Sequence, residues 1–542
     1  MFERIVSLLN DIIWSPVLVV LLVGAGLYFS FRTRFVQVRR FGLMVRSLFA
    51  PAEKSADGQR HGISSFEAFC VALSGRVGTG NIVGVATAIA LGGPGAIFWM
   101  WIIAFFGAST AFVESTLAQK YKFHHETGFR GGPASYIEKG LGKRWLGVLF
   151  SVLVLVGYGT FLPTVQSNGM SGALANSFQL PPLVSGLGLA LLLGLVIIGG
   201  IKSIARVASI VTPFMALGYI VITLVVITQH LDAVPGVFKA IVTNAFGINP
   251  LAGGILGSTI MMGVKRGIFS NEAGQGGGAI VSASAAVSHP AKQGLAQAFS
   301  VYVDTLLICT ATALMILCSG SYNIFDAKSG ELLVANAPQL GDNYVGFTQS
   351  AVDSVLTGFG GTFVSIALVF FVFTTVMAYY FYGESSIMQI FAGRPDRRRM
   401  ERTCIWIFRI TLLGMVVFGA LREANVIWQL GDVGVGLTAW INVIVLCSSA
   451  RRPSRPCGNM NPPRKTQRNE SETLPARSQV LRDRQDGYHP SLQLYTHHGR
   501  SPHRLDGPAG LRLRPDGGRG HRLPRRLRRL QLQENHHFQG HD

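Results

Sequence analysis

Two stretches of the sequence place polar and charged side chains among glycines inside otherwise apolar runs. The first is residues 74–81, SGRVGTGN, and the second is residues 263–276, GVKRGIFSNEAGQG. Peptide N–H and C=O groups left bare in hydrocarbon cost several kcal/mol each, so a membrane helix is interrupted only where protein, water or a ligand satisfies them. Glycine permits such unwinding and lets a ligand approach the backbone, because it lacks a Cβ.

Interrupted membrane helices suit a particular chemistry. The N-terminus of a half-helix presents free N–H groups and a positive dipole to a carboxylate, and unwound carbonyls and hydroxyls can bind a small cation. The two stretches therefore predict a site for an amino acid and a coupling ion. A simpler interpretation is that Gly78 and Gly80 only allow close helix packing. Packing does not explain the polar and charged residues at the same depth, which are Arg76, Asn81, Lys265, Arg266, Asn271 and Glu272.

Ionisable residues inside apolar runs are costly and usually functional, but they admit more than one role. Four of them fit gates or helix-orienting ion pairs as well as they fit ligands: Arg76, Lys265, Arg266 and Glu272. For three carboxylates an inter-helix hydrogen bond is favoured over carriage of a coupling proton: Glu114, Asp304 and Glu384.

The elements that must position these residues are membrane helices. Of the 542 residues, 49% are hydrophobic and 14% charged, whereas soluble domains carry about 25% charged residues. Apolar runs that suit a hydrocarbon layer of about 30 Å fall near residues 14–31, 66–90, 96–119, 146–169, 183–200, 206–228, 251–286, 296–319, 358–390, 403–421 and 426–447. The sequence predicts an all-α polytopic membrane protein with about 11 transmembrane helices.

The two interrupted runs are the second and the seventh, five spans apart. An odd spacing gives equivalent elements opposite orientations in the membrane, which is the pattern of an inverted repeat. The predicted organisation is an extra N-terminal helix with a cytoplasmic linker (1–65), a first five-helix repeat (66–230), a second five-helix repeat (251–447) and a tail (448–542).

Lys and Arg are divided unevenly between alternate loops. One set of loops holds 21 of them and the opposite set holds 4. Basic loops remain on the cytoplasmic side. The chain is therefore predicted to lie in the plasma (inner) membrane with its N-terminus outside and its C-terminus in the cytoplasm.

The same sequence argues against an enzyme. No His lies in the apolar runs for a metal site or a Ser-His relay, and no C-x-x-C pair is present. An intramembrane hydrolase would have only Lys265 and Ser270 as a dyad, and a channel would need a continuous polar pore. A third alternative is a proton-coupled carrier in which Glu272 or Asp304 titrates.

In its motifs the chain resembles the alanine or glycine:cation symporter family, the sodium:alanine symporters, which have the LeuT-type fold of two inverted five-helix repeats. The resemblance rests on residues 74–82, 130–140, 263–276, 289–294, 303–314 and 382–384 and extends over roughly residues 10–446. It implies Na⁺-coupled symport of a small neutral amino acid, alanine or glycine, into the cytoplasm by alternating access. The implied partners are the amino acid, Na⁺ and the lipid bilayer, with no cofactor and no nucleic acid.

The resemblance also implies a substrate site. Backbone N–H groups near Gly78 hold the substrate carboxylate, Gln166 faces the substrate, and the end of the second break closes the pocket. Where family members often carry Trp, this chain has Tyr379, whose ring is the expected floor of the side-chain pocket. The implied substrate-binding residues are Gly78, Thr79, Gly80, Gln166, Phe269, Ser270, Asn271 and Tyr379.

A Na⁺ site is implied beside it. Thr374 and Thr375 supply hydroxyls, the chain near Ser74 and Val77 supplies carbonyls, and Asn81 binds a cation linked to the substrate. Ligation by oxygen alone suits a hard cation. The alternative for the two threonines is hydrogen bonding to carbonyls of the preceding helical turn.

After residue 446 the chain departs from the family pattern. Residues 451–542 contain 19 Lys and Arg, 8 Asp and Glu and no Trp. Such a composition cannot build a core, so a disordered basic tail is predicted. A shifted reading frame is the favoured origin, and attraction of the tail to anionic headgroups or to nucleic acid is the alternative.

Overall fold

The computed structural model describes residues 2–52, 62–248 and 254–450. The helices up to the second break are α1 (Phe2–Ile13), α2 (Pro16–Arg32), α3 (Val36–Arg39), α4 (Phe41–Leu48), α5 (Ser65–Arg76), α6 (Val85–Gly92), α7 (Gly95–Lys120), α8 (Pro133–Leu141), α9 (Arg144–Val156), α10 (Leu162–Phe178), α11 (Pro182–Ile197), α12 (Gly200–Gln229), α13 (Val234–Ala245) and α14 (Leu256–Asn271). The helices after it are α15 (Gly277–Ala283), α16 (Pro290–Val301), α17 (Thr310–Ser319), α18 (Tyr344–Asp353), α19 (Gly360–Ile390), α20 (Arg398–Leu421) and α21 (Ala424–Ala450).

Short irregular segments join these helices. Three π-helical segments lie at Gly80–Gly84, Gly157–Phe161 and Tyr302–Cys309, and two 3-10 turns lie at Pro338–Leu340 and Pro395–Arg397. The strands form two antiparallel hairpins, β1 (Phe123–His125) with β2 (Gly128–Arg130) and β3 (Asn323–Phe325) with β4 (Leu332–Ala335). Because both hairpins are confined to connections between helices, the predicted all-α polytopic membrane fold is confirmed.

Within the described ranges, seven helical segments are long and apolar enough to cross a membrane, and two bent pairs, α1 with α2 and α5 with α6, raise the number to nine. Both α11 and α14 contain 16 residues, which is shorter than these spans. Every apolar run of the sequence overlaps a described helix, but the count of eleven spans stays a prediction.

Burial separates central helices from peripheral ones. In the most apolar window of α21, 72% of the residues are buried, whereas the corresponding share in α12 is 28%. On α12, Ile210, Phe214 and Leu217 are largely exposed. Lipid tails are as apolar as these side chains, so α12 has the surface of a helix that faces lipid and α21 that of a helix inside the bundle.

The first break is confirmed where it was expected. Helix α5 ends at Arg76, Val77 is extended, and a π-turn from Gly80 leads into α6 with a bend of 53°. The second break begins at Glu272, whose φ is +54°, and continues through Gly274 at +85° to Gly276 at +96°. Glycine is needed at the last two positions because side chains rarely adopt such angles.

The second break is shorter than the predicted interruption over residues 263–276. Residues 263–271 are helical, so that part of the prediction is wrong. A Cβ on Gly263 would lie 2.5 Å from the Ala96 carbonyl oxygen, and a Cβ on Gly267 would lie 2.4 Å from Ile103 Cγ2. These glycines let α14 pack against α7, which is the small-residue packing common between membrane helices.

The boundaries of the predicted repeats remain predictions. Helix α21 continues to Ala450, and residues 451–542 lie outside the described residues. The predicted disorder and the reading-frame hypothesis for the tail therefore concern residues on which the structure gives no information.

Candidate functional site

Each of the π-helical segments carries at least one buried polar side chain to the region of the breaks. Asn81 lies on the first segment, Tyr158 on the second and Asp304 on the third, and all three are completely buried. π-Bulges are rare and frequently mark functional sites. These segments were not predicted from the sequence, because their residues do not differ from those of an α-helix and only a buried polar residue in an apolar run signals them.

Thr375 on α19 lies against the first break. Its hydroxyl oxygen is 2.9 Å from the Ser74 carbonyl oxygen, 3.0 Å from that of Val77 and 2.7 Å from that of Phe371 on its own helix. A hydroxyl has one proton and can donate to only one of the three carbonyls. The Phe371 carbonyl lies inside α19 and also accepts from the Thr374 hydroxyl at 3.0 Å. The Thr375 hydroxyl and the Ser74 and Val77 carbonyls therefore form a group of three oxygens around one hydroxyl proton, and such a group can ligate a hard cation.

Thr374 does not contact the carbonyls of the first break. Its hydroxyl lies 3.0 Å from the carbonyl oxygens of Phe370 and Phe371 and 3.7 Å from Met215 Sδ on α12. It makes the back-bonding contacts to the preceding turn that were the alternative for both threonines. The structure thus brings Ser74, Val77 and Thr375 together and leaves Thr374 out.

Two amide groups of the first break are occupied by side chains. The Gly78 N–H donates to Asn81 Oδ1 at 2.8 Å, and the Thr79 N–H donates to Gln166 Oε1 at 2.8 Å. A Cβ on Gly78 would lie 2.5 Å from the Gln166 oxygen and 2.7 Å from Thr375 Oγ1. Of the predicted carboxylate donors, the Gly78 N–H therefore faces Asn81 and the Thr79 N–H faces Gln166, and only glycine at position 78 leaves room for the approach of Gln166.

Asp304 connects the two broken helices. Its carboxylate accepts hydrogen bonds from Asn81 Nδ2 at 2.7 Å, from Ser270 Oγ at 2.9 Å and from Thr305 Oγ1 at 2.7 Å. Among the described residues, no Lys or Arg forms an ion pair with it. A buried carboxylate without a counter-charge is costly unless a cation or a proton neutralises it. The inter-helix hydrogen bonds predicted for Asp304 are present, but its position at the centre of the site was not predicted.

Aromatic rings enclose the site from two sides. The Tyr379 hydroxyl oxygen lies 3.5 Å from Gln166 Nε2. The Tyr379 ring packs edge-on against the Tyr158 ring, and the two ring centres are 5.1 Å apart. On the other side, the Phe269 ring lies 5.2 Å from that of Trp428 and would be 3.0 Å from a Cβ on Gly80. Predicted residues Gly80, Phe269 and Tyr379 thus lie around the first break.

Asn271 and Glu272 lie at the second break rather than among the oxygens around Thr375. Asn271 Oδ1 accepts from the Ala273 N–H at 3.0 Å, and its Nδ2 has no partner among the described residues. Glu272 accepts from the Tyr382 hydroxyl at 3.1 Å. Arg76 points to α16, where its NH1 donates to Gln297 at 3.2 Å. The structure therefore places these residues beside the helix ends.

A group that we call the Asp432 cluster joins α14, α21 and the first helix pair. Asp432 forms ion pairs with Lys265 at 2.8 Å and with Arg266 at 2.6 Å. Trp14 Nε1 donates to the Asp432 carbonyl oxygen at 2.8 Å, and Lys265 Nζ donates to Asn10 Oδ1 at 3.2 Å. Of the roles that the sequence left open for Lys265 and Arg266, the structure shows the ion pair.

A second group, which we call the Glu384 cluster, joins β2, α19 and α20. Glu384 on α19 is 3.7 Å from Arg130 NH2 and 3.6 Å from Arg409 NH2 on α20, and its Oε1 accepts from the Tyr380 hydroxyl at 2.6 Å. A cavity of about 450 Å³ lies beside this cluster. The sequence analysis considered Glu384 but did not pair it with either arginine.

Comparison with known proteins identifies a family. The model of the sodium:alanine symporter family matches residues 1–454. A sodium/proton-dependent alanine carrier protein of Bacillus sp. (strain PS3) is 43% identical, over 71% of this chain and 85% of that protein. The sodium/alanine symporter AgcS of Methanococcus maripaludis is 35% identical, over 82% of this chain and 94% of that protein. The solved structure of MhsT in complex with L-phenylalanine is 17% identical, covers 71% of this chain and 89% of that chain, and has a TM-score of 0.47.

Proposed function

This chain belongs to the sodium:alanine symporter family of membrane transporters, and on that premise we propose that it carries alanine or glycine into the cytoplasm together with Na⁺. It is a multi-pass transporter and not an enzyme. The observation that carries the choice of Na⁺ is the group of three oxygens formed by the Thr375 hydroxyl and the Ser74 and Val77 carbonyls, which have one hydroxyl proton between them.

A cation at this position would hold the first break in one conformation. The Ser74 carbonyl is in the last turn of α5, the Val77 carbonyl is at the start of the unwound chain, and Thr375 belongs to α19. Na⁺ bound between them ties the broken helix to α19, and its departure lets the two separate. Coupling then follows, because the substrate binds to the same unwound segment.

The substrate is proposed to replace Gln166 on the backbone. The Gln166 amide oxygen now accepts from the Thr79 N–H at 2.8 Å, which is the bond that a substrate carboxylate oxygen would accept. Phe269 and Trp428 on one side and Tyr379 on the other place bulky rings around the first break, and such bulk favours a small substrate side chain, as in alanine or glycine, over larger ones. Ser270 and Asn81 would orient the ligand through Asp304.

Alternating access is supported by the two ends of the bundle. With the N-terminus outside, as the distribution of Lys and Arg predicts, the Asp432 cluster is at the outer end and the cavity beside Glu384 is at the cytoplasmic end. The outer cluster is held by direct ion pairs of 2.6 and 2.8 Å. This arrangement corresponds to a transporter closed to the outside.

Proton coupling is the second candidate, and Asp304 is the observation that favours it. Its buried carboxylate has three hydrogen-bond donors but no ion-pair partner among the described residues. Either a proton or Na⁺ could neutralise it. The relative from Bacillus sp. is named for both ions.

Uptake into proteoliposomes tests the two candidates. Labelled alanine is supplied with an inward Na⁺ gradient, with choline in place of Na⁺, and with a proton gradient alone. We expect uptake with Na⁺ only. Equal uptake in choline contradicts Na⁺ coupling, and uptake driven by the proton gradient alone selects the proton-coupled carrier.

Neighbouring threonines provide a matched pair of variants for the cation site. Thr375→Ala removes the hydroxyl that faces Ser74 and Val77, so the Na⁺ concentration for half-maximal uptake should rise about tenfold, the effect of roughly 1.4 kcal/mol. Thr374→Ala removes a hydroxyl bonded within its own helix and should change the Na⁺ concentration for half-maximal uptake less than about twofold, which corresponds to under 0.5 kcal/mol. Equal effects of the two substitutions would contradict the assignment.

A further inference from the structure

The cavity beside the Glu384 cluster reaches both broken helices. It is lined by Ile63, just before α5, and by Ser284, just after α15, and the Ile63 N–H donates to the Ser284 carbonyl at 3.1 Å. The β1–β2 hairpin, the turn between α11 and α12 and the side chains of Glu384 and Arg409 complete the lining. The cavity thus touches the far ends of the two helices whose breaks form the proposed transport site.

Opposite charges in this cavity are held apart. Arg130 NH2 and Glu384 Oε2 are 3.7 Å apart, and Arg409 NH2 and Glu384 Oε1 are 3.6 Å apart. N–H···O hydrogen bonds are typically about 2.7–3.2 Å long, so neither pair makes one. Other partners hold the side chains in place: Arg130 donates to the Phe129 carbonyl oxygen at 3.0 Å and to Thr127 Oγ1 at 2.9 Å.

Both charged groups are almost completely buried, although they line a cavity. Arg130 is 1% exposed and Glu384 is 4% exposed. Arg130 Nε and Glu384 Oε2 have no hydrogen-bond partner among the described residues. Buried polar atoms that lack hydrogen bonds are costly, so a ligand that offers an acceptor to Arg130 Nε and a donor to Glu384 Oε2 would bind favourably.

We propose that this cavity is a second binding site for an α-amino acid zwitterion, with Arg130 facing the carboxylate and Glu384 facing the ammonium group. The charges of the lining, Lys202, Arg130 and Arg409 against Glu126 and Glu384, suit a ligand that carries both signs. This inference rests on the proposed function, because it makes the cavity a binding site on the path of the amino acid from the transport site to the cytoplasm.

The experiment compares the two faces of the transporter. Right-side-out and inside-out membrane vesicles containing the full chain are used to measure the labelled L-alanine concentration for half-maximal transport from each side. Glu384→Gln keeps the shape of the side chain and removes its charge, so half-saturation from the cytoplasmic face should rise about tenfold while that from the outer face changes less than about twofold. Glu384→Asp, which retains the charge, should recover part of this affinity.

Glu138→Gln is the matched control. Glu138 pairs with Arg144 at 3.2 Å and does not line the cavity, so this variant should transport with wild-type half-saturation from both faces.

A merely structural role of Glu384 would lower the maximal rate in both directions without the one-sided change in half-saturation, and that result overturns the inner site. Unchanged cytoplasmic half-saturation in Glu384→Gln, with normal wild-type transport, overturns it as well. Absence of alanine transport by the wild-type chain would instead overturn the proposed function and this site with it.

Discussion

The Asp432 and Glu384 clusters are built from similar residues and have different geometry. Each joins one carboxylate to two cations, but the ion pairs of Asp432 are 2.6 and 2.8 Å long and those of Glu384 are 3.6 and 3.7 Å long. The first cluster is reinforced by Trp14 from the extra N-terminal helix pair, and the second lies beside a cavity. Direct contact closes one end of the bundle, and separated charges leave the other end able to receive a ligand.

The difference also gives the first helix pair a role. Asn10 and Trp14 bond to Lys265 and to the Asp432 backbone, and Trp440 Nε1 donates to the Ile13 carbonyl oxygen at 3.0 Å. The bend between α1 and α2, which measures 41°, lies at these contacts. The helix pair that precedes the predicted repeats therefore contacts the Asp432 cluster directly and, in the proposed transport cycle, would stabilise the closed outer end.

The largest expected effect is that of Asp432→Asn. This substitution leaves Lys265 and Arg266 without their counter-charge, and breaking a buried pair on one side costs about 3–5 kcal/mol. The unfolding temperature in detergent should fall clearly, and alanine uptake should be lost. Asp432→Glu, which keeps the charge, is the control, and an Asn variant as stable as the wild type would show that these ion pairs do not hold the end closed.

Gly436→Ala should have the next largest effect. A Cβ at this position would lie 2.1 Å from Ile13 Cγ2, so α1 has to move, and overpacking of this kind costs about 1–3 kcal/mol. The check is again the unfolding temperature. Gly218→Ala on α12 is the control, because no atom lies within 4 Å of its Cβ position, and it should not lower stability.

Trp14→Phe should act more weakly. It removes the N–H donor to the Asp432 carbonyl and keeps the ring, so the closed state loses about 1 kcal/mol, the contribution of one hydrogen bond. A cysteine introduced at Gln429, which lies beside α1, should then react about five times faster with a membrane-impermeant thiol reagent. The reference is the same cysteine in the chain that retains Trp14. Equal reaction rates in the two proteins would show that the N-terminal helix does not help to keep this end closed.

The smallest effect is expected for Arg398→Ala. Arg398 pairs with Glu126 at 2.7 Å at the rim of the cavity, and both side chains are at least one third exposed. Exposed ion pairs contribute about 0–1 kcal/mol, so stability and uptake should remain close to wild type. A loss of transport comparable to that of Asp432→Asn would mean that the cavity end is also closed by ion pairs.

Most of the fold could be predicted from the sequence, because membrane spans are long apolar runs and the first break is rich in glycine. The prediction for the second break was partly wrong, since glycines within a helix can serve packing as well as unwinding. Gly263 and Gly267 lie against α7, and nothing in the local sequence distinguishes them from Gly274 and Gly276, which have positive φ.

The sequence by itself indicated two of the segments that meet at the candidate site, the stretch after Ser74 and the end of α14, and the resemblance to the symporter family added the helix with Gln166 and the helix with Thr375. Only the tertiary structure decided which side chain of each segment faces the others. Successive residues of a helix point about 100° apart, so Thr375 can reach the Ser74 and Val77 carbonyls while Thr374 cannot. That choice depends on the rotation of α19 against its neighbours, which is set by packing over the whole bundle.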